Sequence, residues 1–139
     1  MVAMAEPWLT ALADRLGVAR ADHAWAGNFV TVERETGVAV LAALGVRGDT
    51  EADCAASLVD LDRQHWARAL PPTIVARTDS EAAFWVHVTH GDPAHVWVRL
   101  EDGTVHSGIR QAENFTPPFD LDGTQIGEAA FVLPADVPL

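Results

Sequence analysis

The hydrophobic period of this chain changes at one place, and that change limits what it can fold into. Up to Leu70 the apolar residues recur at helical spacing. After Pro71 and Pro72 they alternate. A chain that switches from period 3.6 to period 2 at a double proline reads as α+β. A small helical subdomain over 1–70 is expected, followed by an antiparallel β subdomain over 71–139.

In the first part, Leu9, Leu12 and Leu16 form one stripe behind Pro7. Proline suits a first helical turn, where its missing N–H would be unpaired anyway. Gly17 can close this helix in the left-handed conformation. A second helix is expected over 33–44, with Val38, Leu41 and Ala42 inward and Gly45 after its end. A third starts at Thr50, which stands at capping-box spacing from Asp53, and carries Cys54, Leu58 and Leu61 inward. Trp8, Trp25 and Phe29 are expected to glue these elements together, and Trp66 to seal the helix-to-strand junction.

In the second part, "TIVAR", "AFWVHVTH", "HVWVRLE", "TVHSGIRQ" and "EAAFVL" read as five strands. "GDPA" is expected to join the second to the third. Asp102-Gly103 is expected to form a two-residue hairpin loop joining the third to the fourth. Placing the apolar residues on a shared face sets Phe84 opposite Leu100, Val86 opposite Val98 and Leu100 opposite Val105. The other face then gathers Trp85, His87, Trp97, Arg99 and His106, with Gly108 shielded by Trp97. An immunoglobulin-like sandwich takes about seven strands over roughly 100 residues, so this one is expected to be incomplete, its end cut at "FVLPADVPL".

Charge narrows the partners. The net charge is −11 and all nine basic residues are arginine. No basic stripe is present to neutralise phosphates, which argues against nucleic acid and anionic membranes. The longest apolar run, "VAVLAALGV", is nine residues and too short to span a bilayer. The opening "MVAMAEPW" lacks the basic region of a signal peptide. With Cys54 as the single cysteine, a reducing cytoplasm is the expected setting.

The stretches "LADRLGVA", "VTVERETGVAVLAALGV", "LPPTIVAR", "WVHVTHG", "VWVRLEDG", "ENFTPPFDLDG" and "IGEAAFVLPADVPL" occur in this order along nearly the whole chain. The ordered set resembles the N-terminal region of bacterial amylomaltases, the 4-α-glucanotransferases, of the actinobacterial type. Glu33 and Thr89 depart from that pattern. The resemblance implies a parent enzyme that transfers α-1,4-glucan segments through a covalent glycosyl-enzyme, its carboxylates held in a (β/α)-barrel. A retaining mechanism needs two carboxyls about 5 Å apart. The family's motifs for them have no counterpart here, so no residue is assigned a catalytic role. The chain is expected to be a non-catalytic accessory region that packs on the parent's barrel, without cofactor or metal.

The remaining candidates have plainer readings. His87, His90 and His95 cluster on one predicted hairpin but carry no metal-ligand motif, so no metal is expected. Cys54 reads as a buried, inert thiol. Asn114 begins an "NFT" triplet that has no meaning without secretion. Trp85, His87, Trp97 and Arg99 could stack and hydrogen-bond an α-glucan. Burying two indoles, however, removes about 400 Å² from water, worth roughly 10 kcal/mol at most. Covered packing, with Arg99 over Trp85 as a cation–π pair, is therefore favoured. A carbohydrate-binding module and a stand-alone interaction domain remain the alternatives, the latter associating with a second copy through an open sheet edge.

Overall fold

The computed structural model describes residues 4, 6–23, 27–77 and 79–135. Trp25 and the last four residues of "FVLPADVPL" lie outside them. The protein divides into two compact units, Met1–Asp62 and Arg63–Leu139. Its class is α+β, with three helices and antiparallel strands among the described residues. No helix among the described residues is long and apolar enough to cross a membrane.

The first unit holds α1 (Pro7–Arg15), α2 (Arg34–Ala43) and most of α3 (Glu51–Trp66). The first two helices close identically. Gly17 and Gly45 adopt φ of 68° and 78°. Val18 then donates to the Ala13 carbonyl and Val46 to the Leu41 carbonyl, each at 2.9 Å. These are Schellman closures, and the residue after each glycine turns back onto the core. At the start of α3 the Thr50 hydroxyl accepts the Asp53 N–H at 3.1 Å and donates to the Asp53 carboxylate at 2.7 Å. The cap thus holds with aspartate where glutamate is usual.

Leu9, Leu12, Ala13, Leu41 and Cys54 are fully buried together, with Trp8, Val38, Leu58 and Leu61 packed around them. Arg34 lies over the Trp8 ring at 5.7 Å, so the cation–π pair among the described residues is here rather than between Arg99 and Trp85. Two expectations are corrected. Ala42 is exposed, because α2 buries Gly37 and Leu41, one turn apart, instead. Phe29 is 67% exposed, because it belongs to a short hairpin, β1 (Ala21–His23) with β2 (Phe29–Thr31), rather than to a packed loop. Burial pushes the Cys54 thiol above its ordinary value, with the Asp53 carboxylate adding to it, which fits an inert side chain.

The second unit is built on β8 (Thr124–Leu133). β3 (Ala82–Thr89) pairs with it along one edge; β6 (Arg110–Ala112) and β7 (Phe119–Leu121) pair along the other. A separate ladder joins β4 (Trp97–Arg99) to β5 (Val105–Ser107). Val96 and Val98 pack against the cluster of Phe84, Val86, Ile109 and Phe131, so one apolar core is shared by both ladders. The alternation expected for residues 84–89 holds, and Phe84 stacks on its cross-strand partner Phe131 at 6.1 Å.

The strand pairing differs from the expected meander in four respects. β3 pairs with β8 and not with the "HVWVRLE" strand, because the "GDPA" turn carries the chain away to the second ladder. "TIVAR" joins no ladder, and Val75 within it is 91% exposed. "TVHSGIRQ" is two strands, since Gly108 at φ 77° breaks it and sends β6 to β8. Gly108 is thus a corner, not a strand glycine shielded by Trp97.

The fourth difference is a register shift at Asp102-Gly103. Leu100 donates to the Thr104 carbonyl at 2.9 Å and Gly103 donates to Leu100 at 3.0 Å, with Gly103 at φ 88°. This is a three-residue loop with a left-handed glycine. It moves the ladder by one residue, so Val98 faces His106 and Arg99 faces Val105. The two-residue loop is instead Asp122-Gly123, at φ 54° and 84°, between β7 and β8.

Replacing the fully buried Leu41 by alanine is expected to lower stability by about 2–5 kcal/mol. Val59→Ala, at a position 59% exposed on α3, should stay within about 0.5 kcal/mol. Urea unfolding of the two variants beside the parent chain measures both.

Candidate functional site

The densest set of chemistry-bearing side chains lies in the second unit, around one buried imidazole. β3 places Trp85 and His87 two residues apart, so both side chains leave the same face. His87 is 4% exposed. Its ring stacks on Trp85 at 4.2 Å on one side and on Trp66, the last residue of α3, at 4.4 Å on the other. Trp66 in turn stacks on Phe119 of β7 at 5.3 Å, with planes 7° apart. His65 meets Trp85 and His87 edge-on, at 4.7 and 4.9 Å.

Hydrogen bonds fix the same ring within its plane. The Arg68 carbonyl lies 2.9 Å from Nδ1 and can only accept, so Nδ1 carries a proton. Nε2 lies 3.1 Å from Glu128 Oε2. Glu128 is the direct cross-strand partner of His87 in the β3–β8 ladder, so the register itself delivers the carboxylate. The His87 backbone N–H donates to the Ala69 carbonyl at 3.0 Å, which covers part of the outer edge of β3.

Glu128 has its own retinue. Asn114 Nδ2 donates to its carbonyl at 2.9 Å and to Oε1 at 3.1 Å, and the Thr116 hydroxyl donates to Oε1 at 2.9 Å. The "NFT" triplet is therefore a carboxylate clamp. Burial disfavours the charged form of Glu128. The hydrogen bonds from His87, Thr116 and Asn114, together with charge on His87, outweigh that and hold its carboxyl below the usual glutamate value.

Of the four residues singled out for sugar contact, Trp85 and His87 lie together in this stack. Trp97 and Arg99 lie together on β4, both exposed, Trp97 by 58%. The two pairs belong to different ladders, because β3 and β4 are not neighbours. His106 faces Val98. His65, Phe119, Asn114, Thr116 and Glu128 were not foreseen around His87. The available signal was Glu128, a lone acid inside the apolar strand "GEAAFVL". His65, His87 and Glu128 each bring one donor atom within 4.8 Å of the others. The expectation of no metal considered only His87, His90 and His95.

Residues 69–139 match the family described as the MalQ N-terminal beta sandwich domain. The chain belongs to that family. The 4-alpha-glucanotransferases of Mycobacterium bovis and Mycobacterium tuberculosis are 53% identical to it over 133 residues, covering 96% of this chain and 18% of theirs. The crystal structure of amylomaltase from Corynebacterium glutamicum matches it with a TM-score of 0.87 at 38% identity, over 95% of this chain and 19% of that one. The resemblance to amylomaltases read from the sequence is thus borne out. This MalQ-type chain spans less than a fifth of the length of these relatives.

The hydrogen bonds at Glu128 favour its ionised form, so their contribution depends on pH in a defined direction. Because the folded value is depressed, that contribution is complete above the ordinary value of 4.5 and disappears as pH falls through the folded value below it. Glu128→Gln should cost roughly 1–3 kcal/mol at pH 6 and progressively less below pH ~4.5. Denaturant titrations of both proteins from mildly acidic to strongly acidic buffer measure the difference.

Proposed function

We propose that this chain serves as a non-catalytic N-terminal accessory region of a 4-α-glucanotransferase, working in the cytoplasm. The observation that carries the reading is its similarity, at 53% identity over 96% of its own length, to enzymes of which it covers only 18%. Its proposed role is to pack on the parent's catalytic barrel. Val75 and Phe115, 91% and 88% exposed, are apolar surface suited to such a contact. Glu128 supports the non-catalytic assignment, because Asn114, Thr116 and His87 already engage its carboxylate. A retaining glycosidic mechanism needs a carboxyl pair about 5 Å apart across a sugar site.

Glucan contact is the second reading, and the exposure of Trp97 beside Arg99 on β4 favours it. An exposed indole with a neighbouring guanidinium can stack on a sugar ring and donate to its hydroxyls. Trp85 and His87 are engaged with Trp66 and each other, which leaves Trp97 and Arg99 as the proposed contacts. Association with a second copy through a sheet edge would use β3 or β6 and β7 rather than β8, which is paired on both sides.

Incubated alone with maltotriose, the chain is expected to release no glucose above the buffer control; turnover would overthrow the accessory assignment. Titration with maltoheptaose, followed by tryptophan fluorescence, tests the second reading. A saturable change that Trp97→Ala abolishes would support glucan contact, and a flat response up to millimolar sugar would remove it.

A further inference from the structure

We propose that His65, His87 and Glu128 form a binding site for a divalent cation of the Zn²⁺ type. The three side chains come from α3, β3 and β8, all within the second unit, and their donor atoms lie within 4.8 Å of one another. Two imidazole nitrogens and one carboxylate oxygen are a donor set that suits zinc and leaves room for water at the remaining position.

The surroundings are arranged as they are around metal ligands. A ligating histidine ordinarily donates its other ring N–H to a carbonyl or carboxylate, which fixes the tautomer and the ring orientation. His87 does this through Nδ1, 2.9 Å from the Arg68 carbonyl, and so presents Nε2. Stacking by Trp66 and Trp85 holds the ring plane. A ligating carboxylate is in turn hydrogen-bonded on its other oxygen. Asn114 and Thr116 take Glu128 Oε1, and Oε2 is left facing His87 Nε2 at 3.1 Å. The end of α3 brings the third donor, a ring nitrogen of His65, within 4.8 Å of the other two.

Size and charge also fit. Ligand bonds of about 2.0–2.1 Å at a tetrahedral ion place two donors roughly 3.4 Å apart, so donor atoms lying within 4.8 Å of one another close by up to roughly 1.4 Å on binding, while His87 Nε2 and Glu128 Oε2 are already 3.1 Å apart. That is within reach of a side-chain adjustment by His65 or Glu128. Glu128 keeps 16% of its side chain exposed, which gives the ion a path in. On binding, the metal takes the place of the contact between His87 Nε2 and Glu128 Oε2, any proton held there leaving to solvent, while the Nδ1–H bond to Arg68 persists. A chain of net charge −11 favours the approach of a cation.

The test is titration of the chelator-treated 139-residue chain with Zn²⁺ by calorimetry, and with Co²⁺ by visible absorption. One equivalent of Zn²⁺ is expected to bind, with Co²⁺ developing the d–d bands of a four- or five-coordinate site. His65→Gln removes a ligand but leaves the Trp66–His87–Trp85 stack in place, and should weaken binding by at least about tenfold. Asn114→Ala, which loosens Glu128 only, should weaken it by about 10–100-fold. His95→Gln should bind as the parent does. The proposal is overturned if no stoichiometric binding occurs in the parent chain. It is equally overturned if His65→Gln binds unchanged, or if His95→Gln is the variant that loses the metal. Circular dichroism of each variant confirms that it is folded, so a loss of binding reports the site.

Discussion

One imidazole organises the second unit of this protein. His87 is held at both ring nitrogens and on both ring faces, and its partners come from four places in the chain: the end of α3, the turn after it, β3 and β8, with the loop carrying Asn114 and Thr116 holding Glu128 in turn. The magnitudes show which interaction matters most. An aromatic pair adds about 0.5–1.5 kcal/mol beyond its buried area. A buried polar group left without its partner costs about 1–3 kcal/mol, and more when it is charged. The hydrogen bonds to Arg68 and Glu128 therefore constrain the ring more strongly than the stacking does, and the stacking decides what surrounds it. A shift of the β3–β8 ladder by one residue would separate His87 from Glu128 and leave the two side chains on opposite faces.

This arrangement bears on function through what it leaves exposed. The tryptophan face expected from the sequence is divided. Trp85 is used internally, together with His87 and Trp66, whereas Trp97 and Arg99 point outward from a different ladder. The chain spans less than a fifth of the length of its enzymatic relatives. The first unit is held together by another route, with three helices around Leu9, Leu12, Leu41 and Cys54 and two matching glycine closures.

The helices were legible because their signals are local. Pro7, Gly17, Gly45 and the Thr50–Asp53 pair each act within one turn, and the leucine stripes specify the buried face. The alternation of β3 was legible for the same reason, but its partner was not. β3 pairs with a strand that begins 35 residues after it ends, and nothing in the alternation distinguishes that strand from a nearer one. Two short stretches show how fine the distinction is. "LEDGT" and "LDGT" differ by one glutamate, and that residue converts a two-residue loop into a three-residue loop and shifts the register. Around His87 the sequence indicated the ring and Trp85. It could not indicate His65, Asn114 or Thr116, whose roles arise only when distant segments meet.

The central claim is that His87 is an internal ring, clamped between the indoles of Trp66 and Trp85, rather than part of an open aromatic surface. Proton NMR of the histidine side chains tests it most directly. Six histidines are present. The account predicts that the carbon-bound ring protons of His87 are shifted strongly upfield by ring currents, with cross-relaxation to both indoles. His87 protons at ordinary positions, with no cross-relaxation to Trp66, would contradict it.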